Sequence, residues 1–264
     1  MKLINILTFV ASFLLPSLFF QSIVADTNNR MLKYGITPDS YPPYLFNKQD
    51  QLDNYEGIIT DTLKIIASQL GYEVKTVLLP QNRLKRQLYS GKIDVLPFAI
   101  EWIDQRDKVE YSDTIMRVKD VVWSLKSAPV KYSKPEDLFG KNVVTHIGYH
   151  YPTLQPYFDS QQIIKKETNT NLNVLKLITK KRTSTGIVAQ LTGQWLALQN
   201  NWTADLYFSE QEVNGFDYRF LFGKKWKSLI PKFNKQLNKI KTNGTLTTII
   251  NKYTQQKKVA NFTF

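Results

Sequence analysis

The stretch from Tyr55 to Ser112 constrains the fold of this chain more than any other. From Gly57 onward, Ile58, Ile59, Leu63, Ile66, Ala67 and Leu70 recur at helical spacing, and Gly71 stands where a C-cap calls for a left-handed residue. Val74 to Leu79 is a β-branched strand closed by Pro80. Arg83 to Tyr89 reads as a short helix ended by Ser90-Gly91, and Ile93 to Ile100 as a buried strand. Alternating helices and strands with such tight punctuation predict half of a small α/β lobe, because each apolar helix face needs a sheet to cover. In open sheets of this kind ligands bind beyond the strand C-termini. Arg106, the thirteenth residue of a run that starts at Asp94, stands beside that cleft.

The flanking sequence extends the pattern. Leu32 to Thr37 reads as a first strand. It leads to a stiff aromatic loop, Tyr41-Pro42-Pro43-Tyr44, in which each proline fixes its own φ and restrains the residue before it. Val118 to Leu125 is a further strand. A second unit starts at Pro135-Glu136-Asp137-Leu138, with a strand over Val143 to Ile147, the loop Gly148-Tyr149-His150-Tyr151-Pro152 and a helix beginning after it. Gln161 to Glu167 reads as a strand and Leu172 to Lys180 as a helix, whereas Ile187 to Leu198 has no clear period. Ala204 to Phe208 is a strand, and Trp226 to Lys241 and Leu246 to Tyr253 are amphipathic helices separated by Asn243-Gly244. The expected architecture is two α/β lobes joined by short strands, with the last helices returning to the first lobe.

The N-terminus predicts the compartment. Lys2 precedes an almost wholly apolar run from Ile4 to Phe20, and Ser22-Ile23-Val24-Ala25 ends in a small residue before polar Asp26. Residues 1–25 therefore read as a cleavable secretory signal peptide, which makes the mature chain periplasmic. With no cysteine, the exported protein relies on its core alone and has no thiol for lipid attachment. The 35 Lys and Arg against 22 Asp and Glu give a net charge of +13, which favours anionic surfaces without naming a partner. The lysines from Lys224 to Lys241 and Lys252 to Lys258 read as solvated helix faces, and no nucleic-acid-binding motif accompanies them. Two histidines without ligand spacing predict neither a metal site nor a cofactor, and His146, alternating inward on its strand, is expected in the core.

In order and spacing, several of these segments together resemble the family 3 extracellular solute-binding proteins, the polar amino-acid type that serves ABC importers. They are Tyr41-Pro42-Pro43-Tyr44, Gly57-Ile58-Ile59-Thr60-Asp61, Leu88-Tyr89-Ser90-Gly91-Lys92-Ile93-Asp94, Asp104-Gln105-Arg106 before Tyr111-Ser112, Asp137-Leu138-Phe139-Gly140-Lys141-Asn142-Val143 and Asn234 to Tyr253. The resemblance implies an α/β clamshell of the type II periplasmic-binding-protein kind, each lobe a small sheet flanked by helices, with two hinge strands. Lobe one would comprise residues 26–120 plus 212–264, and lobe two residues 121–211. It implies a monomer that closes on a small polar, carboxylate-bearing solute and delivers it to an ABC-type permease, or reports it to a membrane sensor. A cyclohexadienyl dehydratase-like enzyme on the same scaffold is the alternative, with Glu101 or His150 as general acid.

Arg106 stands at the family's carboxylate-binding arginine, where a guanidinium grips a carboxylate through two parallel hydrogen bonds. Tyr41 matches the aromatic lid. The small hydroxyl residues expected before the arginine are replaced by Phe98, Ala99 and Glu101, and the second-lobe anion loop reads Gly148-Tyr149-His150. Free amides at a helix start there would suit an anion. Tyr44, Arg83 and Trp102 are secondary candidates for the ligand wall. The ammonium-binding acid of the family should lie near Ala189, where the sequence carries no carboxylate.

Overall fold

A computed structural model describes residues 30–38, 41–47, 55–100 and 103–255. The expected leader, Glu101 and Trp102 lie outside the described residues. In chain order the elements are β1 (Arg30–Ile36), β2 (Phe46–Asn47), β3 (Tyr55–Glu56), α1 (Ile58–Gln69), β4 (Tyr72–Leu78), α2 (Gln81–Tyr89), β5 (Val95–Ala99), β6 (Val109–Tyr111) and β7 (Met116–Leu125). They continue with β8 (Asn142–His146), α3 (Gln155–Asp159), β9 (Ile164–Thr168), α4 (Asn171–Thr179), β10 (Thr185–Ala189), α5 (Gln190–Gln199), β11 (Leu206–Gly223), α6 (Ile230–Thr242) and α7 (Thr245–Thr254).

Two parallel α/β units share one sheet of nine strands. Eight of them run in the order β4-β1-β5-β11-β7-β10-β8-β9, and β6 pairs with β11 on the edge opposite β5. On one side β1 lies parallel to β4 and β5; on the other β8 lies parallel to β9 and β10. The antiparallel pair β7 and β11 joins the two sides. The expected short linkers are thus long strands that carry the hydrogen-bond ladder from one lobe into the other. β11 alone spans 18 residues, far beyond the five read from the sequence, and its register with β7 shifts on either side of Glu212.

Helix α1 follows the apolar spacing. Ile58, Ile59, Leu63, Ile66 and Ala67 are buried, and Gly71 takes φ +76° just past the helix end. That face packs with Tyr34, Ile36, Phe220, Phe222, Phe233, Leu237 and Ile240, so the C-terminal helix α6 returns to the first unit as expected. Each such side chain contributes roughly 1.5–3 kcal/mol on full burial. Asp94, 3% exposed, staples the same unit by accepting from the Lys33 amide at 2.8 Å, Trp226 Nε1 at 3.0 Å and Lys225 Nζ at 2.7 Å. In the second unit buried Trp123 donates to the Val188 carbonyl at 3.0 Å, and its ring occupies the space that Gly193 leaves without a Cβ. Two local readings change. The helix after Pro152 begins only at Gln155, and His146 is half-buried, its ring 4.4 Å from that of Tyr149, where a core position was expected.

Candidate functional site

The loop Tyr41–Leu45 forms one wall of a cavity. Its shape is fixed from below: the Ile58 and Ile59 amides, the first of α1, donate to the carbonyls of Pro43 and Tyr44 at 2.9 and 3.0 Å. Gly57 permits this contact. It holds φ +127°, and a Cβ there would lie 2.5 Å from the Tyr44 carbonyl oxygen. From α5, the Thr192 hydroxyl donates to the Pro42 carbonyl at 3.1 Å. The rings continue as a shelf, with Tyr41 on Tyr44 at 5.0 Å, Tyr44 to Tyr218 at 5.8 Å and Tyr218 to Phe216 at 5.4 Å. Tyr44 itself is 1% exposed and belongs to the core beneath Tyr41.

The opposite wall is the turn after β8. Gly148 takes φ +78°, and Tyr149, 37% exposed, reaches the cavity with His150 and Pro152. The Tyr149 amide donates to the His146 carbonyl at 3.2 Å, so it is committed to the turn. With α3 starting later and only five residues long, the anion-binding helix start expected at residues 149–151 does not form.

The floor comes from β7 and β11, and it contains the groups the sequence did not reveal. The cavity, about 740 Å³, is lined by Arg117, Asp120, Asn214, Gly215, Phe216, Asp217 and Tyr218 in addition to Tyr41 and the 148–152 turn. Arg117 Nε lies 3.0 and 3.1 Å from the two carboxylate oxygens of Glu212, with Nη2 on the same carboxylate and Nη1 3.6 Å from Asp217. Its guanidinium passes over Gly215, where a Cβ would come within 3.1 Å of it. Arg219 stands 3.8 Å from the other side of Asp217.

Asp120 is different. Directly opposite residues on antiparallel strands project to the same face. Asp120 faces Asn214 on β11 and Ala189 on β10. Beside Ala189, where the sequence carries no acid, a carboxylate therefore stands one strand away, brought there by the strand register. Burial pushes its pKa from 3.8 up to about 6, the Asn214 hydrogen bond opposing and the Glu212 charge adding to the rise. Among the described residues no ion pair involves Asp120. Nearby, the Tyr151 hydroxyl is buried without a hydrogen-bond partner among the described residues. Burial also raises the pKa of Tyr41, Tyr149 and Tyr218, which keeps these hydroxyls neutral.

A smaller cavity, about 160 Å³, shares Tyr41 and Tyr218 and extends past Thr37, Gln81, Lys85 and Phe98. Lys85 Nζ sits 5.2 Å from the Phe98 ring centre. The structure thus brings Tyr41, Gly148, Tyr149 and His150 together, with Phe98 next door. Arg106 heads an exposed 3-10 turn, Arg106–Lys108, and Arg83 is exposed on α2; neither lines these two cavities.

Residues 32–256 match the family model for bacterial extracellular solute-binding proteins, family 3. The chain belongs to this family. A relative described as a probable histidine-binding protein of Campylobacter jejuni is 29% identical over 224 residues, 84% of each chain. The L-cystine solute receptor of Neisseria gonorrhoeae, solved unliganded and open, superposes with a TM-score of 0.72 at 16% identity over 87% of this chain and 94% of that one. An ancestral cationic amino acid solute-binding protein gives 0.70 at 19% identity, covering 85% and 96%. Both structures share the two-lobed α/β fold with this solute-binding protein, whose cavity occupies the cleft at the β7–β11 crossing. Among its described residues no helix is long and apolar enough to cross a bilayer.

Proposed function

We propose that this solute-binding protein works in the periplasm, after removal of residues 1–25, as the receptor of an ABC-type importer for a small ammonium-bearing solute, an amino acid or a related amine. The observation that carries this reading is Asp120, a half-buried carboxylate on the cavity wall whose described partner is an amide. Such a group gains most from a ligand that brings a positive charge and N–H donors. The name of the Campylobacter relative, a probable histidine binder, agrees with that chemistry.

Lobe one is assigned to residues 26–120 plus 212–264 and lobe two to residues 121–211. Contacts made to both lobes exist only in the closed form, so a bound solute shifts the population towards closure, and a permease recognises that state. The protein binds its solute and releases it unchanged. Calorimetry on the exported protein, with a panel of amino acids and small amines at pH 7.5, tests the reading. Binding of at least one of them, lost in Asp120→Asn, is expected; a panel without a binder would sink it.

A further inference from the structure

Resting on the cleft assignment above, we propose that this site recognises its solute as a cation and does not require a carboxylate, so that decarboxylated amines are ligands in their own right. Gripping a carboxylate takes an uncommitted guanidinium or ammonium, or free backbone amides. The larger cavity offers no uncommitted guanidinium or ammonium among the described residues that line it, and of the amides in its 148–150 turn only those of Gly148 and His150 lack a backbone acceptor. Its arginine, Arg117, is held by Glu212 across two nitrogens and by Asp217 at 3.6 Å. A ligand carboxylate would have to displace one of these acids and leave it unpaired. The first amides of α1 serve the carbonyls of Pro43 and Tyr44, and the Tyr149 amide serves His146. Lys85 lines the smaller cavity and not the larger, with Phe98 beside its charge. Arg106 is exposed and lines neither space.

The wall is well provided for a cation. Arg117, Asp120 and Asp217 give it a formal charge of −1 inside a chain of net charge +13. Around Asp120 stand the rings of Tyr41, Tyr149, Phe216 and Tyr218, whose faces attract ammonium and guanidinium groups. The Tyr151 hydroxyl, buried without a hydrogen-bond partner among the described residues, adds to the polar groups near that carboxylate. A cation satisfies Asp120 and the aromatic faces together, whereas a carboxylate meets a negative wall. The family's amino-acid grip rests on two anchors, and among the described residues that line this cavity only the one for the positive charge is supplied by an uncommitted charged group.

The test compares each amino acid with its decarboxylated amine: histidine with histamine, arginine with agmatine, lysine with cadaverine. Affinities are measured by calorimetry on the exported protein at pH 7.5. At least one amine is expected to bind within about tenfold of its parent or more tightly, with Arg106→Ala changing that affinity less than about threefold. Asp120→Asn is expected to weaken it by about tenfold or more, the loss that follows a hydrogen bond to a charged group. Because Asn is nearly isosteric with Asp, thermal melting of the variant separates lost binding from lost folding. If amino acids bind and every amine is more than tenfold weaker, or if Arg106→Ala abolishes amine binding, the inference fails while the cleft assignment stands. If no member of the panel binds, both fail.

Discussion

Replacing Asp120 by Asn should make the unliganded protein more stable while removing its ligand. A carboxyl whose pKa rises from 3.8 to about 6 on folding is disfavoured in its charged form by about 3 kcal/mol. The folded state then binds the proton more tightly than the unfolded chain. The cost is therefore absent below about pH 4, grows between pH 4 and 6, and is complete above about pH 6. Arg117 and Asp217 share the cavity, Glu212 on β11 adds a negative charge close by, and the surrounding tyrosines stay neutral throughout this window. Asn has no ionised form, and the bond with Asn214 is already contained in that net shift. The gain is about 2–3 kcal/mol at pH 7.5, or roughly 4–12 °C in Tm for a chain of this size. Differential scanning calorimetry of both proteins from pH 4 to pH 8 measures it. The gap should close towards pH 4, and saturating ligand should reverse it at pH 7.5 by stabilising only the wild type. An unliganded variant that melts below the wild type at pH 7.5, or a gap that does not change with pH, would refute the reasoning.

Arg117→Gln removes the positive charge from the cavity wall and frees Glu212 and Asp217; amine affinity measured by calorimetry should rise several-fold at low salt and less at 0.5 M NaCl. Gly57→Ala must accept both φ +127° and a contact near 2.5 Å with the Tyr44 carbonyl, so urea melts should show a loss of about 2 kcal/mol or more, with weakened binding because the Tyr41 loop shifts. The Tyr253 hydroxyl accepts from the Gly57 amide at 3.1 Å and Lys252 Nζ at 2.8 Å, and donates to Asp61 at 2.7 Å. Tyr253→Phe should cost about 1–3 kcal/mol in the same melts and leave ligand affinity within twofold.

The parts of the fold that were legible in the sequence are those with a strong period. The faces of α1, α6 and α7 and the strands β1, β4, β5 and β8 follow apolar spacing that tertiary packing then uses. β11 was not legible past Phe208, because Glu210, Gln211, Glu212, Asn214 and Gly215 interrupt its apolar alternation. The overlooked signal is the two-residue repeat Phe216, Tyr218, Phe220, Phe222, which marks one face of a strand. At the candidate cavity, Tyr41 and the Gly148–His150 turn were legible as lining because each sits in a compact motif. Asp120 was not, since a lone acid after Lys119 resembles any strand-edge residue. Its meaning depends on facing Ala189 and Asn214, and register across three strands is not written in local composition.

The outward passage along β7 and the return along β11 also set an order of assembly. The two cores on the far side of this pair, around Tyr151 and around Trp123, draw only on residues from Val121 to Val213. The core on the near side joins Tyr34 and Ile59 to Phe220, Phe233 and Leu237, from opposite ends of the chain. Closing the second kind of core restricts a much longer loop, so it carries the larger entropic cost. The far side should therefore gain protection first and the near side last, which pulsed hydrogen exchange on β10 and β5 amides would resolve. A nascent chain that has not yet released α6 cannot complete its first core, however early β1 and α1 emerge.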